Sequence, residues 1–157
     1  MAVEIENGAQ YYESDTEVCS VIKDFGQDRP LVLVVDGEQN VLEKISEVLR
    51  EAKFGCRCCV TADEAIAAAL ACPPDLIVCD WNLDGENGVE TCQRIKQQPG
   101  LAEVPVMFLS SAQRPDVIRR SLDAGAGVYC LRKPFAATVL VELIDQALGV
   151  VGSIGSQ

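Results

Sequence analysis

Four polar residues stand out for the chemistry they could do together: Asp36, Asp80, Ser110 and Lys133, each at or just beyond the end of an apolar run. Asp36 and Asp80 would concentrate negative charge and oxygen ligands, a donor set that suits Mg²⁺. A metal there would screen an incoming phosphate from the acidic pocket. Asp80 could then attack as a carboxylate nucleophile and form an aspartyl-phosphate. Lys133 supplies a compact positive charge for the transferred group, and Ser110 a hydroxyl donor. Each part alone is weak evidence, because a carboxylate after a strand often serves as a helix N-cap. Asp36 read by itself has that simpler explanation.

The elements that would position these residues are legible from periodicity. Residues 31–35 form a continuous apolar run rich in β-branched residues, the signature of a strand covered on both faces. A helix follows over 41–49, ending near Phe54 and Gly55, and a cysteine-rich strand runs to about Val60. Thr61 to Glu64 has the capping-box form and opens an alanine-rich helix that stops before Pro73. A third buried strand over 75–79 ends at Asp80, and a glycine-bearing loop leads to a helix near 89–97. Strands over 104–109 and 128–131, with helices over 115–124 and 137–148, complete the series. Five strand–helix units with right-handed crossovers close as an α/β, doubly wound, five-stranded parallel sheet. Ligands of such sheets sit beyond the carboxyl ends of the strands, where the strand order reverses. Asp36, Asp80, Ser110 and Lys133 all belong to those ends.

Residues 1–29 differ in character from the rest, with seven acids against two bases. Within them Ser14 to Glu17 has capping-box form, and Val18, Val21, Ile22 and Phe25 recur at helical spacing. One short amphipathic helix is expected, too short to be stable unless docked. The expected organisation is an acidic extension over 1–29, a main domain over 30–148 and a tail over 149–157.

Composition narrows the function classes. The 157 residues carry a net charge of −11, which argues against a nucleic-acid surface built from clustered Lys and Arg. No histidine is present, which removes His general-base catalysis and His metal ligation. The N-terminus lacks the basic and apolar regions of a signal peptide, and no apolar run reaches membrane-span length, so a cytoplasmic location is expected. Eight cysteines without an export signal read as small buried hydrophobes rather than a disulfide framework. Cys56 and Cys58, two apart, should share one face of a strand, and redox sensing is the alternative role.

Val34-Val35-Asp36-Gly37-Glu38, the Pro74-to-Asp80 segment, Gly88 eight residues after Asp80, and Leu131-Arg132-Lys133-Pro134-Phe135 together resemble the response-regulator receiver family. So does Pro105 to Ser111, which is similar to that family's fourth strand and switch hydroxyl. The likeness is to chemotaxis-type single-domain receivers, of flavodoxin-like (βα)5 fold, and covers about residues 30–148. It implies that Asp80 takes phosphate from a sensor histidine kinase or phosphotransfer protein. It implies Mg²⁺ held by Asp36, Asp80 and the backbone carbonyl of Asn82. It further implies Lys133 paired with the phosphoryl group, a cis Lys133–Pro134 bond, and Ser110 carrying the switch. Signalling would run through contacts with an unknown output protein, with a homodimer as a further arrangement, and without nucleic acid or membrane. Apart from its own phosphotransfer and dephosphorylation, the chain is expected not to be an enzyme.

Three positions depart from the family pattern. The usual second acid after the first strand is Gly37, which weakens the expected metal site. The usual proline four residues after the acceptor is Asp84. The usual switch aromatic falls at Cys130, with Tyr129 displaced by one, so either the preceding Gly125-Ala126-Gly127 loop absorbs the extra residue in a bulge or the aromatic coupling is absent. Gly37 keeps open a pseudo-receiver, a phosphate-independent interaction module of the same fold. An aspartate-nucleophile phosphatase would need an acid at position 82, where this chain has Asn82. Trp81, the only tryptophan, is expected to report on events at Asp80.

Overall fold

A computed structural model describes residues 29–83, 86–111 and 128–149. Its elements in chain order are β1 (Leu31–Val35), α1 (Gln39–Glu51), β2 (Gly55–Cys59), α2 (Ala62–Ala71) and β3 (Leu76–Asp80). Two short strands follow, β4 (Asn82–Leu83) and β5 (Glu86–Asn87), then α3 (Gly88–Lys96), β6 (Val106–Ser110), β7 (Val128–Arg132) and α4 (Ala137–Leu148). The expected helices at 14–25 and 115–124 lie outside the described residues.

Five strands form one parallel sheet in the order β2-β1-β3-β6-β7. The chain passes outward from β1 to β2, then crosses back to β3, so the order reverses between β1 and β3. All five residues of β1 are buried, as a parallel strand covered on both faces requires. Its side chains alternate between two apolar clusters. Leu33 and Val35 join Ala65, Ala68, Val89, Cys92 and Ile95 from α2 and α3. Val32 and Val34 join Leu42, Ile45, Leu49, Leu140 and Ile144 from α1 and α4. The doubly wound architecture read from the sequence is the one observed.

Local chemistry sets the element ends. At α2, Thr61 Oγ1 accepts the Glu64 N–H at 3.1 Å, while the Glu64 carboxylate accepts the Val60 N–H at 3.0 Å. The reciprocal half of the capping box therefore reaches one residue further back than the motif predicts. Asn87 caps α3 by accepting the Glu90 N–H at 2.8 Å. Gly149 closes α4 with φ of 77°, the left-handed conformation that favours glycine at this position. The fourth strand of the sheet begins at Val106 rather than Val104. The Val104 N–H turns back to the Leu101 carbonyl, and Pro105 has no N–H to give the ladder.

The described cysteines divide into three groups. Cys72, buried at the C-terminal end of α2, is disulfide-bonded, which corrects the expectation that every cysteine is simply a small buried hydrophobe. Cys59, Cys79 and Cys92 are buried thiols outside any disulfide, within the apolar clusters, as expected of small hydrophobes. Cys56 and Cys58 are half-buried and Cys130 is exposed. No helix among the described residues is long and apolar enough to cross a membrane.

Candidate functional site

The carboxyl ends of β1, β3, β6 and β7 bring the four sequence-selected residues into one neighbourhood. Asp36 follows β1 and Lys133 follows β7; Asp80 and Ser110 are the last residues of β3 and β6. Neighbouring strands run in even register here, with Val35 opposite Cys79 and Asp80 opposite Leu109. Asp36 and Asp80 therefore flank the point where strand order reverses, the position at which sheets of this type bind ligands.

Asp36 is fully buried, with 0% of its side chain exposed, and both carboxylate oxygens are engaged. Oδ1 accepts the Glu38 N–H at 2.8 Å and Oδ2 accepts the Lys133 ammonium at 2.9 Å. Asp36 thus tightens the turn that starts α1 without being its N-cap, which is Glu38 with no side-chain cap bond of its own. The Lys133 Nζ also lies 3.4 Å from Asp80 Oδ1. A single ammonium bridges two carboxylates, leaving the trio one negative charge in excess.

The titration of these groups follows from that geometry. Burial and the charge of Asp36 raise the Asp80 pKa; the pull of Lys133 and a backbone hydrogen bond from Asn82 oppose but do not cancel them. Burial alone would lower the Lys133 pKa. Its hydrogen bond to Asp36 and the charges of Asp36 and Asp80 outweigh burial, so the pKa is raised.

Ser110 is buried at the end of β6, and its backbone carbonyl accepts the Lys133 N–H at 2.8 Å. This bond ties the loop carrying Lys133 to the strand carrying Ser110. The Lys133–Pro134 peptide is cis, as the family resemblance implies. Lys44 of α1 steadies the same loop, with Nζ 3.4 Å from the Phe135 carbonyl oxygen and 5.0 Å from the centre of its ring. On the other flank, the 82–87 segment read as a plain loop contains a two-residue antiparallel ladder, Asn82 opposite Asn87 and Leu83 opposite Glu86.

Two further positions singled out in the sequence lie close to this rim. Trp81 points into the core, where its ring meets Phe108 edge-on with centroids 5.4 Å apart. Successive strand residues face opposite sides, so the indole lies away from the Asp80 carboxylate and is only an indirect reporter. At β7 the ladder with β6 is regular from Val128 to Arg132; the 125–127 loop, where a bulge would absorb the offset, lies outside the described residues. Tyr129 packs with the α1 and α4 cluster, and Cys130 is exposed. The pairing of Lys133 with Asp36, 97 residues apart, was not foreseen. The one signal for it was an acid ending a wholly apolar strand, since a buried carboxylate requires a cation or several donors.

The chain matches the response regulator receiver domain model over residues 32–145. It is 31% identical over 121 residues to the phosphate regulon transcriptional regulatory protein PhoB of Pseudomonas aeruginosa, an alignment covering 77% of this chain and 52% of that one. It is 35% identical to the transcriptional regulatory protein PrrA of Mycobacterium tuberculosis, covering 85% and 54% respectively. The chain spans about half the length of the curated relatives it matches. Among solved structures, the chemotaxis protein CheY4 of Vibrio cholerae superposes with a TM-score of 0.73 over 76% of this chain and 99% of that one, at 24% identity. Model match, relatives and fold agree: the chain belongs to the response regulator receiver domain family, the phosphorylation-dependent module of two-component signalling.

Proposed function

We propose that this chain is a phosphorylation switch whose acceptor is Asp80, charged by a sensor histidine kinase or phosphotransfer protein and read out through protein–protein contacts. The receiver unit is taken as residues 30–148, with 1–29 as an acidic extension and 149–157 as a tail. The observation that carries the reading is the Lys133 ammonium, 2.9 Å from Asp36 and 3.4 Å from Asp80, beside the buried Ser110. In the transfer, an Asp80 carboxylate oxygen forms the new O–P bond as the P–N bond of a phosphohistidine breaks. The electron pair stays with the imidazole nitrogen, which takes a proton from solvent. Lys133 pairs with the phosphoryl oxygens, and the Ser110 hydroxyl donates to them, carrying the change into β6.

Receiver domains typically bind Mg²⁺ at this place, and two carboxylates with one carbonyl suit that hard ion in part. Asp36, Asp80 and the Asn82 carbonyl would hold it, water filling the other positions. When bound, the ion neutralises charge on the phosphoryl oxygens. Gly37 contributes no side-chain oxygen, and among the described residues no cluster of three or more acids, cysteines or histidines is suited to a metal. A side chain is accommodated readily there, because a Cβ on Gly37 would meet nothing within 4 Å. Gly37→Asp is therefore expected to bind Mg²⁺ about ten- to thirty-fold more tightly by calorimetry, equivalent to about 1–2 kcal/mol. Unchanged affinity would mean that another acid already serves as the ligand.

The direct test is intact mass after incubation with acetyl phosphate and Mg²⁺. Wild type should gain one phosphoryl group and Asp80→Asn none. The same variant should melt higher at neutral pH. The folded-state pKa of Asp80 is raised, so its ionisation in the native state opposes folding above that pKa. The difference should fade as pH falls through the folded-state pKa and be gone below the ordinary aspartate value of 3.8, where the carboxyl is protonated in both states. A wild type that gains no mass at saturating metal would favour the second reading, a phosphate-independent pseudo-receiver, for which Gly37 is the supporting feature.

A further inference from the structure

We propose that Cys56 and Cys58 form a two-thiolate chelate for a thiophilic divalent ion of the zinc class, separate from the phosphorylation site. The two residues lie on β2, the outermost strand of the sheet, in register with Val32 and Val34 of β1. Their side chains share the face that packs towards α1, where Cys58 Sγ lies 4.0 Å from the Leu42 carbonyl oxygen. Both are half-buried free thiols, and their sulfurs are 3.6 Å apart.

That separation discriminates between the two things a thiol pair can do. A disulfide needs about 2.05 Å between sulfurs and Cα atoms usually about 4.4–6.8 Å apart. Residues two apart along a strand are separated by about 6.6 Å, near that upper bound. Closing the bond would pucker β2 against a ladder that holds it in register with β1. A tetrahedral ion with metal–sulfur bonds of about 2.3 Å sets its sulfurs about 3.8 Å apart. The thiols are already within a few tenths of an ångström of that spacing, so chelation asks only for a small rotamer adjustment.

The chemistry balances without a redox partner. One divalent ion replaces two thiol protons, which go to solvent, and the local charge is unchanged. In the metal-free chain the Cys58 thiol is held protonated, by its hydrogen bond to Cys56 first and by burial and the charge of Cys56 next. Arg57 of β2 and Arg50 of α1 favour the thiolate and oppose this shift. The chain has no histidine, and among the described residues no third cysteine or carboxylate joins the pair. Water therefore completes the coordination, and the site is open and exchangeable rather than a closed structural centre.

The experiment is a titration of the full chain, its Cys72 disulfide kept intact, with Cd²⁺, followed by sulfur-to-metal charge-transfer absorption, and with Zn²⁺ against a colorimetric chelator. One ion per chain, two protons released per ion, affinity rising with pH and a higher melting temperature with Zn²⁺ are expected. The Cys56→Ser and Cys58→Ser variants should each lose the charge-transfer band, whereas Cys130→Ser, at the exposed thiol of β7, should keep it. A band that survives the double Cys56→Ser/Cys58→Ser variant would overturn the proposal, as would a wild type that binds neither ion. Proton release is measured on the wild type alone, so the outcome does not depend on how well a variant folds.

Discussion

Gly88→Ala should be among the most damaging single substitutions in this chain, lowering stability by roughly 3 kcal/mol, the upper part of the usual range for overpacking a close-packed site. A Cβ at position 88 would lie 2.3 Å from the Asp80 carbonyl oxygen and 3.2 Å from both the Asp80 carbonyl carbon and the Trp81 Cα. All three are backbone atoms, so no side-chain rotation relieves the contact. The Gly88 N–H also donates to the Trp81 carbonyl at 2.6 Å, pinning the start of α3 against the end of β3. To admit the methyl group, α3 must withdraw or the Asp80 backbone must move. Either displaces the acceptor, so phosphorylation by acetyl phosphate should slow along with the fall in urea midpoint. A loss under about 1 kcal/mol would show that the 82–87 segment yields freely and that glycine is not required for this approach.

Lys133→Ala carries the other large expected effect, for an electrostatic reason. It removes the cation from a carboxylate with no exposure to water. Breaking a buried pair from one side costs about 3–5 kcal/mol. Asp36 keeps the Glu38 N–H and the Lys133 side chain is 16% exposed, which places this case nearer 2–4 kcal/mol. The double variant Asp36→Asn/Lys133→Met should recover much of that loss, because no charge remains to be buried unpaired. The pH dependence has a definite sign. The folded-state pKa of Lys133 is raised above its ordinary 10.5, so the ammonium's contribution is complete below that value and disappears only as pH climbs through the folded pKa. A Lys133→Ala variant as stable as wild type at neutral pH would mean that solvent reaches Asp36 and the pair is not truly buried.

How far each feature was legible depended on the range of the interaction behind it. Residues 31–35 and 137–148 were placed to the residue, because periodicity and a terminal glycine are local signals. The four polar residues at the strand ends were identified by position along the chain, since a parallel sheet gathers its carboxyl ends at one rim. The bridging of Asp36 and Asp80 by one ammonium was not legible, because it depends on a contact between residues 97 apart. The β4–β5 ladder escaped notice because two-residue strands carry no alternation to read. The inward orientation of Trp81 was missed for a related reason. Adjacency in sequence suggested a shared environment with Asp80, whereas a strand sends neighbouring side chains to opposite faces.

The alternation of β1 has a mechanical consequence. Asp36 is carried at the tip of a rod whose side chains are gripped from both sides, Val32 and Val34 by the α1 and α4 layer, Leu33 and Val35 by the α2 and α3 layer. Close-packed interiors transmit strain with little compression. A load applied to either helical layer therefore arrives at the same carboxylate. Through the Asp36–Lys133 contact, whose two ends lie 97 residues apart, the load passes to the loop between β7 and α4. A protein pressing on α1 and one pressing on α2 would thus address a common lever from opposite sides, with no need for overlapping footprints.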